Sequence, residues 1–281
     1  LADAQKLAQA GGQVLAGGQT MIAAMKQRLQ QPETLVDLAA ISGLAGVKKD
    51  GNNIVIGAMT RHQDVADNAD VKQHIPGLAA LANNIGDKQV RSMGTIGGSV
   101  ANNDPAACYP SALLALGATV NTDKRSIKAD DFFQGLYTTA LEAGEIITSV
   151  SFPIPTKAAY AKFNQPASRF ALVGVFVAQT AGGARVAITG AGNGVFRHAG
   201  LEAALTKSFT PEAVTGVAVD STDLNADLHA SKAYRAHLIT VQTQRAVKQP
   251  GPSRRGLLRG TAAHHRRFFE PQIGAPSSAR G

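Results

Sequence analysis

The sequence has a single cysteine, Cys108, among 281 residues. An intrachain disulfide is therefore excluded, as is any metal or cluster site built from several cysteines of this chain. A lone thiol fits a reducing compartment, and the cytoplasm is the expected location. Long apolar runs are also missing, so no membrane span is expected. Leu1–Leu7 lacks a basic start followed by an apolar core and does not read as a secretory signal. There is no Gly-x-Ser-x-Gly elbow, no Walker motif and no helical repeat. Covalent hydrolase chemistry and P-loop chemistry drop out on that ground, and no acid–base catalytic set is signalled.

What charge there is sits unevenly. The formal net charge is +8. From Lys248 onward seven basic residues face one acid, Glu270, so +6 belongs to that end and +2 to everything before it. The nearly balanced body argues against a nucleic-acid partner. Gln249–Gly281 is rich in Pro, Gly, Ser and Arg and has no sustained period, so a disordered basic tail is expected. Ser253–Gly260 (SRRGLLRG) has the look of a twin-arginine export signal, but such signals work at an N-terminus, and a solvated tail is the preferred reading. His264 and His265, in the same tail, lack further ligands, and no metal site is expected.

The body mixes α and β at short spacing. Asp3–Gln9 reads as a helix, Gln13–Ala16 as a strand, Thr20–Leu29 as a helix and Thr34–Asp37 as a strand. The chain opens inside a helix without Met, so a preceding strand is expected to be missing. Gly46–Lys49 and Asn53–Gly57 flank Asp50-Gly51, a hairpin signal. His62–Ile85 is helix-rich, with Asp64 as a candidate cap and Pro76 as an interruption. Gly94–Asn103 is glycine-rich. Pro110–Gly117 reads as an apolar helix with Pro110 near its start, Ala118–Asn121 and Glu145–Phe152 as strands, and Pro153–Thr156 as a boundary. Ala158–Asn164, Ala171–Thr180 and Arg185–Gly190 read as consecutive strands, followed by helices near Gly200–Leu205, Pro211–Val217 and Ala230–Val247. The fold class is α+β, with domains at 1–153 and 154–247 and the tail at 248–281.

Two loops share one chemistry: Leu15–Thr20 (LAGGQT) and Gly94–Val100 (GTIGGSV). Each has a small apolar lead-in, a Gly-Gly pair and a hydroxyl residue shortly after. Successive glycines let adjacent N–H groups point into one concavity, and the missing Cβ admits a phosphate close to the backbone. Two such loops could hold a pyrophosphate from two sides without a lysine. A lone Gly-Gly pair is also what an ordinary tight turn contains; the match between the loops is what favours a ligand.

Taken with AGGQT and MKQRL, the stretch IGDKQVRSMGTIGGSVANNDPAACYPSALLALGA resembles the FAD subunits of the molybdenum hydroxylases. That family includes the medium subunit of aerobic carbon monoxide dehydrogenase and the flavin domain of xanthine dehydrogenase. GEIITSVSFPIP, KFNQPASRFALVG, RVAITGAGNGVFR and DLHASKAYRAHLI agree, and the likeness runs from Leu1 to about Val247. The resemblance implies a two-part FAD-binding domain of the molybdenum-hydroxylase/vanillyl-alcohol-oxidase-like type, followed by a small α+β C-terminal domain. It implies FAD contacts at Ala16, Gly17, Gly18, Gln19 and Thr20, at Thr95, Ile96, Gly97, Gly98 and Ser99, and also at Asp104 and Ile147. It implies an electron carrier that takes electrons from the [2Fe–2S] clusters of a small partner subunit and passes them to an external acceptor. A molybdopterin-binding large subunit would oxidise the substrate, the whole forming a dimer of heterotrimers. A scaffold subunit without FAD and a stand-alone FAD oxidoreductase are the alternatives.

One departure stands out. Where family members often read DPAAD, this chain reads DPAAC, so Cys108 replaces an acid able to hydrogen-bond a ribose, and a thiol is a poor acceptor. Gly190–Val195 (GAGNGV) lacks the final small residue of a dinucleotide fingerprint and reads as a strand-ending turn. Arg91 either meets a phosphate or partner subunit or pairs with Asp87. Tyr160 and Phe163 read as core packing in preference to rings beside the flavin.

Overall fold

The computed structural model describes residues 1–249; the readings made on the tail beyond, including Ser253–Gly260 and His264–His265, lie outside the described residues. The fold is α+β, with short elements alternating in the first half and a sheet backed by helices in the second.

The chain begins with α1 (Ala2–Gln9), β1 (Gln13–Leu15), α2 (Met21–Lys26) and β2 (Leu35–Asp37). β1 and β2 pair in parallel, with Gln13 opposite Leu35. Ala4, Val36, Leu38, Leu44 and Ile146 make a small cluster beneath them. The hairpin follows as expected: β3 (Val47–Asp50) and β4 (Asn53–Gly57) join at Gly51, whose φ is +55°. Along β4 the odd-even alternation buries Ile54 and Ile56 completely.

Helices α3 (His62–Asp67), α4 (Ala69–His74), α5 (Pro76–Asn83), α6 (Lys88–Met93), α7 (Ile96–Asn102) and α8 (Tyr109–Leu116) come next. Asp64 caps nothing, because it lies inside α3. Asn68 caps α4 by accepting from the Val71 N–H, and Asp87 caps α6 by accepting from Val90. Pro76 opens α5 rather than interrupting a helix, since its missing N–H costs nothing in a first turn. Every residue of α8 is buried, which its all-round apolar sequence YPSALLAL requires. Gly117 ends it in the left-handed region.

β5 (Thr119–Thr122), β6 (Ser126–Lys128), α9 (Ala129–Phe132), β7 (Phe133–Gly135), β8 (Thr138–Thr139) and β9 (Ile147–Pro153) complete this half. β9 inserts between β4 and β5, giving the antiparallel order β3-β4-β9-β5-β6.

β10 (Lys157–Asn164), β11 (Ala171–Thr180), β12 (Gly183–Thr189) and β13 (Phe196–Arg197) form an antiparallel meander. α10 (Ala199–Lys207), a 3-10 turn at Pro211–Val214 and α11 (Lys232–Lys248) follow. β11 is apolar on both faces, and the structure supplies a cover for each. Val173, Val175 and Val177 join Leu201, Leu205, Leu238 and Ile239 of α10 and α11. Phe176 and Ala178 turn the other way and join Leu78, Leu81 and Leu113 of α5 and α8. The meander is thus sandwiched between its own helices and those of the first half. Tyr160 packs in the central core and Phe163 is half-buried in the outer one, as core residues.

Candidate cofactor site

The two glycine loops, far apart in sequence, abut in the fold. Loop 16–20 leaves the end of β1 and leads into α2; loop 94–99 joins α6 to α7. A Cβ on Gly17 would collide with the backbone carbonyl of Met93, and one on Gly98 would lie 3.4 Å from the Cβ of Ala16. The glycines therefore allow one loop to rest on the other. Gly18 has a φ of +69°, a region costly for other residues.

Their hydrogen bonding differs. The five consecutive N–H groups from Ala16 to Thr20 donate to no acceptor among the described residues, nor do the hydroxyls of Thr20 and Ser99. Gln19 and Thr20 are exposed, and Ala16, Gly17 and Gly18 half-exposed. Loop 94–99 instead consumes its N–H groups. Ile96 donates to Thr60 O at 3.1 Å and Gly97 to Ala58 O at 2.8 Å. Thr95, the cap of α7, accepts from Gly98 through its side chain at 3.2 Å and from Ser99 through its carbonyl. Ile96 and Gly97 are fully buried, and a Cβ on Gly97 would press on Ala58 at 2.6 Å. Free donors come from the first loop, while the second provides a glycine surface and the Ser99 hydroxyl.

Below the second loop lies His62. Its backbone N–H donates to Gly94 O at 2.9 Å, and its ring packs on Gly94 and on Tyr109, 5.3 Å between centroids. Burial, and secondarily the charge of Arg91, lowers its pKa to about 4, so it is neutral at pH 7. Arg91 does not pair with Asp87. Its Nε donates to Gln63 Oε1 at 3.1 Å and its Nη1 to the carbonyls of Ile85 and Gly86, which lock the turn before α6.

Past α7 the chain turns on Asn103, which is buried with φ +44°. Asn103 Nδ2 donates to the carbonyls of Gly135 and Thr138, both at 2.8 Å, and holds the β7–β8 hairpin there. Asp104 is half-exposed; it accepts from the Ala106 N–H at 2.8 Å and from the Tyr137 hydroxyl at 3.3 Å. Pro105 and Ala107 accept from the Thr189 hydroxyl, and Pro105 also from the Gly190 N–H. The turn of Gly190–Val195 indeed ends a strand, and its first residue clasps the segment that carries Asp104. Ile147 lies apart from these loops' hydrogen bonds, buried at the start of β9 opposite Thr122. Sequence reasoning missed His62, Asn103 and Tyr137. Only Asn103 carried a signal, since Asn tolerates the left-handed region better than most residues.

Residues 1–155 match the family model described as the FAD binding domain in molybdopterin dehydrogenase. The chain belongs to that family. It is 35% identical over 250 residues to the glyceraldehyde dehydrogenase medium chain of Sulfolobus acidocaldarius, covering 84% of this chain and 89% of that one. The carbon monoxide dehydrogenase medium chain of Hydrogenophaga pseudoflava is 35% identical over 218 residues, 73% of this chain and 76% of that one. Among solved structures, reconstituted CO dehydrogenase from Oligotropha carboxidovorans superposes with a TM-score of 0.81 at 30% identity, covering 88% of this chain and 93% of that one. Quinoline 2-oxidoreductase from Pseudomonas putida 86 gives 0.79 at 27% identity, over 88% and 92%. The chain is an FAD-binding oxidoreductase subunit of the molybdenum hydroxylase type. No helix among the described residues is long and apolar enough to cross a membrane.

Proposed function

We propose that this chain is the electron-transfer subunit of a molybdenum hydroxylase complex. It would take electrons from the [2Fe–2S] clusters of a small partner subunit and pass them to an external acceptor. A molybdopterin-binding large subunit would oxidise the substrate, and two such heterotrimers would form the cytoplasmic assembly. The abutting of the two glycine loops, one with five consecutive free N–H groups, is the observation that carries the reading. A run of unspent donors on a glycine surface fits the pyrophosphate of FAD.

Residues 1–153 form the cofactor-binding part and 154–247 the part beside it. The N–H groups of Ala16, Gly17, Gly18, Gln19 and Thr20 would donate to phosphate oxygens. Gly98 and Ser99 form the opposing wall, Ser99 adding its hydroxyl. Thr95, Ile96 and Gly97 hold that wall in place through their bonds to Gly98, Thr60 and Ala58. Asp104 offers a carboxylate to sugar or ring donors, and Ile147 an apolar surface. Bound there, FAD would supply the redox chemistry. The protein's contribution is to bind, orient and shield it, and no side chain of this chain need act on the substrate.

The test is the visible spectrum of the purified full-length chain, with chromatography of what heat releases. Flavin bands, with FAD as the released species, are expected. A folded chain that stays colourless after incubation with FAD would reject the electron-carrier role in favour of a scaffold subunit. Reduction by substrate only when both partner subunits are present is the second expected result. Substrate turnover by the chain alone would mark it as a stand-alone oxidoreductase.

A further inference from the structure

Cys108 is buried, with the half-exposed Lys162 and the buried Tyr160 beside it. Lys162, on β10, donates from Nζ to Cys108 Sγ at 3.6 Å, to Arg169 O at 2.9 Å and to the carbonyl of Asn84. Two residues earlier on the same strand, Tyr160 has Cys108 as a neighbour. Tyr160 is 5% exposed, and its hydroxyl has no hydrogen-bond partner among the described residues. Burial first, and the neighbouring Cys108 second, push its pKa well above the ordinary value, so the phenol stays a donor. The Lys162 amine thus meets the thiol directly and the orphaned Tyr160 phenol lies beside it, and a thiol is a poor acceptor. An oxygen added to the sulfur would accept from both, and an unmet buried donor is costly.

We propose that Cys108 is an oxidative modification site, where peroxide converts the thiol to a sulfenic acid and the amine of Lys162 then closes a covalent sulfur–nitrogen link. In the first step one oxygen of hydrogen peroxide bonds to sulfur, the O–O bond breaks and water leaves. Sulfur loses two electrons and the peroxide gains them. In the second step Lys162 Nζ first gives its extra proton to water, and the lone pair so freed attacks sulfur. The S–N bond forms, the S–O bond breaks, and hydroxide departs with a proton from nitrogen as water, with no further oxidant. The chain has no second cysteine to resolve a sulfenic acid as a disulfide, and Lys162 is the nucleophile in contact. Two equivalents of an added thiol reverse the link, regenerating thiol and amine and leaving a disulfide of the reductant. The link would tie the start of α8, directly after the Asp104 segment, to β10.

The test treats the full-length chain with hydrogen peroxide, blocks remaining thiols with N-ethylmaleimide, and digests with trypsin for mass spectrometry. The expected product joins Ser92–Lys124 to Ala158–Arg169, uncleaved at Lys162, with the mass of the two peptides less two hydrogens. It disappears on treatment with dithiothreitol. Lys162→Arg keeps the cation and is expected to leave a sulfenic acid that dimedone traps, with no linked peptide. Tyr160→Phe is expected to lower the yield of either oxidised form. Wild-type protein in which Cys108 stays reduced, or runs on to sulfinic acid without a linked peptide, overturns the proposal. So does a link from Cys108 to any residue other than Lys162. Because the decisive mass is read on wild-type protein, the result stands even if a variant fails to fold.

Discussion

Gly17 has the least room of the residues in the candidate site. A methyl group there meets the Met93 carbonyl and the Gly94 Cα, both backbone atoms that cannot step aside. Gly17→Ala is expected to part the two loops, to lower the FAD content of purified protein at least tenfold, and to cost about 1–3 kcal/mol of stability. Equal flavin content in variant and wild type would show that the contact between loops is not needed. Gly18→Val adds a β-branched side chain at positive φ and is expected to cost roughly 1–2 kcal/mol in urea unfolding. His62 supplies a pH dependence. Its pKa falls from an ordinary 6.5 to about 4 in the fold, chiefly through burial. The unfolded chain therefore binds the proton more readily. The stabilising contribution is complete above about pH 6.5 and is lost as pH falls towards 4. A melting temperature that declines over that window in wild type, and more shallowly in His62→Gln, is the expected outcome.

At the scale of elements, the loop between β8 and β9 is held by one carboxylate. The Glu145 side chain is fully buried, and burial alone would raise its pKa. Bonds from Arg125 at 3.1 Å, from the Glu142 N–H at 2.8 Å and from the Thr122 hydroxyl at 2.7 Å outweigh that and hold it at about 2. The sign follows that of a depressed acid: the stabilisation is present above about pH 4.5 and is lost as pH falls towards 2. Urea midpoints between pH 5 and 3 are expected to fall steeply in wild type and less so in Glu145→Gln, whose pH 7 midpoint is already reduced. Helix α7 shows a different economy. Gly97 and Gly98 are poor helix formers, yet they lie in its first turn, where Gly97 fits against Ala58 and Thr95 caps the Gly98 N–H.

Across the whole molecule, the two halves share a core. Tyr160, Phe176 and Ala187 of the meander lie in the same cluster as Leu78, Leu113 and Phe152 of the first half. Arg185 reinforces the join from β12, donating twice to Leu114 O at the end of α8 and to both oxygens of Asp130 at 2.8 Å. Arg197 reaches Asp130 as well, and pairs with Glu202 at 2.7 Å. The two halves are expected to melt as one unit, with calorimetric and van't Hoff enthalpies in agreement. Two resolved transitions would show instead that the common core does not couple them. Arg185→Met strips the Leu114 carbonyl of both side-chain donors and is expected to lower stability by about 1–3 kcal/mol while keeping the single transition.

Local pattern was enough for much of this protein. Asp50-Gly51 marked the hairpin, the strand readings at 158–164, 171–180 and 185–190 fell on the meander, and the all-apolar run marked α8, because each signal is written in adjacent residues. The loop chemistry at 16–20 and 94–99 was visible for the same reason, as was the strand-ending turn at Gly190. The caps were not: Asp64, expected to cap a helix, lies inside α3, while Asn68 and Asp87 hold the starts of α4 and α6, since a cap depends on where the first turn begins. Gly94–Asn103 hid a helix, because its glycines are explained by close neighbours and not by propensity. Nor could the sequence show that one loop leaves its N–H groups free while the other spends them on Ala58, Thr60 and Thr95. The neutral His62 and the placing of Lys162 and Tyr160 beside Cys108 were equally out of reach. Hydrogen-bond partners, burial and shifted pKa values are properties of residues brought together from distant parts of the chain, and packing alone brings them together.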